Sequence, residues 1–202
     1  MDQQPDRDPD WNLWFGIDPY DFENADWGDP DDPSPDPRMD PVPRAFVDRL
    51  RKLIPLWRRL GLNHQLTSGL YDDGHVWVLI PVSDHVGELS LGRIRVDLTD
   101  SEWIGSWVVG GNSTSKELED AEPIGEPDRE SFTDPPAGIE RATEWMIAQY
   151  TRPITRRVWR QLDQVIAQSW TFEDTGKIIA VSGEQQHWSR PETADEAVRV
   201  DR

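Results

Sequence analysis

Residues 1–43 hold 9 of the chain's 17 prolines and 13 of its 39 acidic side chains, against two bases. Proline removes a backbone donor and fixes φ, and clustered carboxylates repel one another, so this stretch cannot build a regular element of its own. An acidic, largely disordered N-terminal arm over 1–43 is expected, with any packed domain beyond it. Inside the arm sits an aromatic island of Trp11, Trp14, Phe15, Tyr20 and Phe22, with Trp27 further on. Rings interleaved with carboxylates suit two fates: ordering on a partner's surface, or docking on the chain's own domain.

The 202-residue chain carries a formal net charge of −18, unevenly placed. The arm holds −11 and residues 112–140 hold −7, whereas 44–61 carry +5 and 141–170 carry +3. Acidity serving solvation would cover every exposed face. Acid and base segregated by segment point to docking instead. An acid excess of this size excludes a phosphate-backbone binder, whose affinity comes from Lys and Arg displacing counterions. The absence of cysteine excludes disulfides, thiolate metal sites and thiol nucleophiles. No apolar run approaches the roughly 20 residues of a membrane-spanning helix, and the acidic start lacks the character of a secretory signal. A cytoplasmic protein without membrane attachment is expected. Eighteen Arg against three Lys match a GC-rich, actinobacterial-like coding composition.

Beyond the arm, Phe46, Leu50, Leu53, Trp57 and Leu60 step by four and three, one face of a helix over 43–60. Pro55 should kink or split it after Ile54. The opposite face carries Arg44, Arg51, Lys52, Arg58 and Arg59, a basic docking face for acid on a partner or for the chain's own arm. Strand patterns follow at His64–Leu70, His75–Val82, Glu88–Thr99 and Glu102–Val109, separated by turn signals. A change of apolar parity at Gly92 predicts a β-bulge. A second helix opens at Asp134-Pro135 and ends at Arg152-Pro153. Three more strands are expected at Ile154–Arg160, Val165–Phe172 and Lys177–Val181.

The order is helix, four-stranded antiparallel meander, helix, three-stranded antiparallel meander: a single α+β domain over 44–182. An acidic loop spans 110–137, and a polar tail spans 183–202. This order resembles that of type III secretion chaperone-like domains, small acidic proteins that bind other proteins. The resemblance is one of element order and implies a protein-binding role.

Motifs for chemistry are sparse. There is no G-x-S-x-G and no H-E-x-x-H, and Gly105–Asn112 begins like a phosphate loop but lacks its lysine. Of four histidines, His64 and His75 fall near the first hairpin with Asp73, a donor set suited to zinc or non-haem iron. His85 lies at the far end of the same strand as His75, and His187 lies in the tail. Carboxylate pairs such as Glu117–Glu119 have no apolar neighbours to raise a pKa. Arg93, Arg95, Arg156, Arg157 and Arg160 on strands would form a cationic sheet region. Outside the arm tryptophan recurs at 57, 77, 103, 107, 145, 159, 170 and 188, nearly one per element and mostly as core.

The function expected is a non-catalytic protein-interaction module of the chaperone, immunity or inhibitor kind, binding a protein partner, basic in charge. Its partner-binding residues are Trp11, Trp14, Phe15, Tyr20, Phe22 and Trp27 of the arm with Trp77, Trp103 and Trp107 of the meander. No catalytic, cofactor or metal residue is assigned, and neither nucleic acid nor membrane is a partner. The alternative is a small-ligand-binding or metal-dependent enzyme with its site near His64, Asp73 and His75. The sequence leaves the oligomeric state open.

Overall fold

The computed structural model describes residues 10–11, 13–19, 39–72, 75–84, 86, 89–99, 102–108, 129–133, 135–183 and 194–200. The chain is α+β, with two sheets and few helices. A short strand β1 (Ile17–Pro19) precedes helices α1 (Pro41–Lys52) and α2 (Ile54–Arg59). Strands β2 (Ser68–Asp72), β3 (His75–Asp84), β4 (Leu89–Leu98), β5 (Glu102–Val108) and β6 (Arg129–Thr133) follow. Helix α3 (Pro135–Thr151) leads to β7 (Ile154–Gln161), β8 (Gln164–Phe172), β9 (Ile178–Gly183) and β10 (Glu196–Arg199). The first sheet has the order β1-β2-β3-β4-β5-β6, and the second has the order β10-β7-β8-β9.

The helix region expected over 43–60, with a kink or split after Ile54, is two helices, and the break falls at Leu53. Pro55 has no N–H to continue the ladder, so Leu53 N bonds back to Leu50 O at 3.0 Å, a tighter turn. The Trp57 indole Nε1 donates to the same Leu50 carbonyl at 3.0 Å, satisfying a helix end from the next turn. At the other end Asp40 precedes α1 without capping it. Its carboxylate accepts from Tyr71 Oη of β2 at 3.2 Å and so ties the helix start to the sheet.

Strand β3 follows its alternation closely: Val76, Val78, Ile80 and Val82 are buried, and the intervening side chains are half-buried or exposed. In β4 burial switches parity between Leu91 and Ile94 across Gly92, whose φ of +148° a side chain rarely adopts. Four expectations are corrected. His64–Leu66 forms a 3-10 turn, and strand β2 begins only at Ser68. Part of the expected acidic loop is β6, whose Phe132 pairs with Trp103 on β5. Part of the expected polar tail is β10, pairing antiparallel with β7. Part of the expected disordered arm is β1, which pairs parallel with β2. The meanders are therefore longer at their edges than expected.

The described residues fall into two compact units. In the first, Phe46, Val47, Leu50, Ile54 and Trp57 of the helix pair are buried, as are Val76, Val78 and Ile80 of β3. Trp103 lies on Phe46, ring centroids 4.5 Å apart. In the second, Ile154, Val158 and Trp159 of β7 and Ala167, Trp170 and Phe172 of β8 are buried, and Trp107 meets Phe172 edge-on at 5.0 Å.

The β7–β8 hairpin closes on two residues, Leu162 and Asp163, both at positive φ (49° and 65°). Such a turn matches the twist of its strands but favours Asn and Gly, not a γ-branched side chain. Leu162 is 93% exposed, so no burial offsets that conformation. Leu162→Asn is expected to raise stability by about 0.5–1 kcal/mol, visible as a melting temperature a few degrees higher. No change or a decrease would mean the leucine makes a stabilising contact.

Candidate functional site

The first unit contains a segment seated in a groove. Asp10 to Trp14 form one turn, with Leu13 N and Trp14 N both donating to Asp10 O. Trp14 and Phe15 then enter the interior at 1% and 0% exposure. Phe15 lies against Trp57 of α2, 6.1 Å between centroids, and Trp14 lies edge-on to His64 at 6.5 Å. The backbone is gripped on both sides. Phe15 N donates to Thr67 Oγ1 at 2.9 Å, and Gly69 N donates to Gly16 O at 3.1 Å, after which β1 runs beside β2.

Two cations of the helix pair complete the groove. Arg51, 8% exposed, donates from Nε to the Trp14 carbonyl at 2.9 Å. Burial pushes the Arg51 guanidinium below its ordinary pKa, with nearby Asp48 opposing that shift. A charged donor to a carbonyl is worth about 1.5–3 kcal/mol net, so this contact anchors the segment. Arg58 lies over the Trp14 ring, 5.9 Å from its centroid, and reaches the Asp10 carboxylate at 3.4 Å. Both partners of that pair are well exposed, which limits it to about 1 kcal/mol or less.

The fit has two defects. Among the described residues Trp14 Nε1, which is buried, has no hydrogen-bond partner, at a cost of about 1–3 kcal/mol. Phe15 sits at φ 51°, a left-handed conformation that an aromatic residue adopts only under constraint.

The basic face expected on the first helix region is therefore divided. Arg51 is interior, Arg58 holds the segment, Arg59 donates to its own turn at Pro55 O, Lys52 is exposed and Arg44 is half-buried. Of the expected partner-binding rings, Trp14 and Phe15 are core and Trp11 is half-buried. Tyr20, Phe22 and Trp27 lie outside the described residues. Trp103 and Trp107 are corrected from a partner surface to the core, at 0% and 1% exposure, because β5 turns both inward. Trp77 stays half-exposed, with the Arg95 guanidinium 4.9 Å from its ring centroid. Arg95 also grips Asp97 through two nitrogens.

Two groups of charge were not foreseen. In the second unit Asp84 is 1% exposed. Its Oδ2 accepts from Trp170 Nε1 at 2.7 Å and Arg156 Nη1 at 3.3 Å, and its Oδ1 accepts from Val86 N at 3.0 Å. The signal was present: Asp84 continues the buried register of Val76, Val78, Ile80 and Val82. In the same unit Arg152 stacks on Phe172 at 3.7 Å and donates from Nε to Asp174 at 2.8 Å. The expected cationic sheet region is thus partly consumed internally, since Arg156 serves Asp84 and Arg160 reaches Glu196 at 3.4 Å.

The Arg152 hydrogen bond, before any other cause, holds the Asp174 carboxyl below the usual carboxylate range. A depressed folded pKa adds stability above the unfolded value near 3.9, and that stability is lost as pH falls through the folded value. Asp174→Asn should therefore flatten acid denaturation below about pH 4, with a small loss at neutral pH. Identical acid limbs for both chains would remove the pair from the stability balance.

As for the metal alternative, Asp73 lies outside the described residues, His64 faces Trp14, and His75 is exposed on β3. Among the described residues no group of three His, Cys, Asp or Glu could hold a metal ion. No helix among them is long and apolar enough to cross a membrane. Comparisons with protein-family models, curated proteins and solved structures find no match.

Proposed function

We propose that the chain is a non-catalytic protein-interaction module, of the chaperone, immunity or inhibitor kind, working through aromatic and acidic surfaces. The observation that carries this reading is the bond from Arg51 to the Trp14 carbonyl, deep beneath a docked aromatic segment. A buried cation receiving the backbone of a ring-bearing segment is the geometry of peptide recognition, here satisfied within one chain. The partner is a basic protein, drawn by the −18 charge and held by apolar anchors. The test is capture by the full chain in its source cells, repeated across salt concentrations. A basic protein retained at low salt and released at high salt is the expected result. Stoichiometric zinc or iron in protein purified without a histidine tag would overturn the reading in favour of the enzyme alternative.

A further inference from the structure

We infer that the groove formed by α1, α2, the His64–Leu66 turn and the β2 edge is a recognition site for segments from other proteins, which Asp10–Pro19 occupies in cis. The ligand class is a carboxylate, one turn, a pair of aromatic residues and then an extended strand. This rests on the reading of the chain as an interaction module and names the ligand of its first unit.

Each part of the groove reads one part of that ligand. Arg58 reads the carboxylate at Asp10, 3.4 Å away. Trp57 and His64 receive the two rings. Arg51 and Thr67 bind the backbone around them, Arg51 at the Trp14 carbonyl and Thr67 at the Phe15 N–H. The β2 edge takes the strand by parallel pairing from Gly69 to Tyr71. Strand addition of this kind depends on backbone groups and so accepts any sequence that fills the ring positions. Local charge favours an acidic ligand, because 44–61 carry +5 inside a chain of −18.

The resident segment is also an imperfect occupant. Among the described residues the buried Trp14 Nε1 has no hydrogen-bond partner, and Phe15 is held at positive φ. Covalent attachment to the same chain keeps it in place by raising its local concentration into the millimolar range, about the value for short tethers. A competing segment free of those two defects gains against it, and binding from outside proceeds by displacement.

The test uses the full chain with a protease recognition sequence inserted between Pro30 and Asp31, cut after folding. The probe is a fluorescent peptide of residues Asp10–Pro19, followed by anisotropy. Cutting removes the tether without altering the groove, so the apparent Kd for the probe should fall at least tenfold, the direction expected on losing millimolar local competition. Peptides carrying Trp14→Ala or Phe15→Ala should bind at least tenfold more weakly than the parent peptide, with the protein itself untouched. Equal binding before and after cutting overturns the inference. So does failure of excess probe, added to the cut protein, to release the N-terminal fragment on gel filtration. Salt-sensitive capture of a basic protein without peptide binding would sink the groove alone. Peptide binding without such capture would sink only the parent reading of a basic partner.

Discussion

Asp84→Ala is expected to destabilise the protein by about 3–5 kcal/mol, the range for breaking a buried ion pair from one side. The carboxylate is 1% exposed and receives Trp170 Nε1, Arg156 Nη1 and Val86 N. Removing it leaves a guanidinium whose Nε already lacks a hydrogen-bond partner among the described residues, and strands the Trp170 N–H in the interior. The pair itself is not the source of the unit's stability, because desolvating two charges offsets most of their attraction. Combining Asp84→Leu, Arg156→Met and Trp170→Phe removes both charges and the indole donor together, leaving the Val86 N–H alone, and should recover most of the loss. Urea denaturation of the single and triple variants measures both quantities. A single-variant loss below about 1 kcal/mol would show that water reaches the site and replaces the carboxylate.

Asp84 also marks how far the sequence was legible. The alternation of β3 places its partners correctly, and the same parity carried one step further puts a carboxylate inside. Hydrophobic pattern alone cannot announce such a residue, since its stabilising partners, Trp170 and Arg156, lie 86 and 72 positions away. The parity change at Gly92 and the break at Pro55 were legible because a local steric rule causes each. Strands β6 and β10 were not. β10 has four exposed side chains, and its pairing with β7 is a backbone matter that leaves no apolar trace. The docked segment stood as one of two fates for the aromatic island, with the basic helix face named as one of its hosts. What stayed hidden is that Arg51 reads a carbonyl and not a carboxylate. Backbone acceptors carry no sequence signature.

The largest packing effect belongs to a reciprocal pair of contacts between β5 and α3. A Cβ built on Gly138 of α3 would overlap Trp103 Cδ1, and a Cβ built on Gly105 of β5 would lie 2.7 Å from the Trp145 ring. Each element thus offers one indole and one bare backbone site to receive the other's indole. The spacing agrees: two residues separate ring and glycine along the strand, roughly 6.6 Å, and seven separate them along the helix, two turns on one face. Trp103→Ala is expected to cost about 3–5 kcal/mol, including the contact with Phe46 at 4.5 Å. Gly138→Ala alone should cost about 1–3 kcal/mol by overpacking, less about 1 kcal/mol regained from helix propensity. In the double variant the new methyl occupies space the indole vacated. Its loss should therefore fall short of the summed single losses by about 0.5–3 kcal/mol, the range for residues in contact. Chemical denaturation of the four chains closes this cycle. Strict additivity would mean that the indole and the helix backbone do not touch, and that α3 is held on the sheet by other contacts.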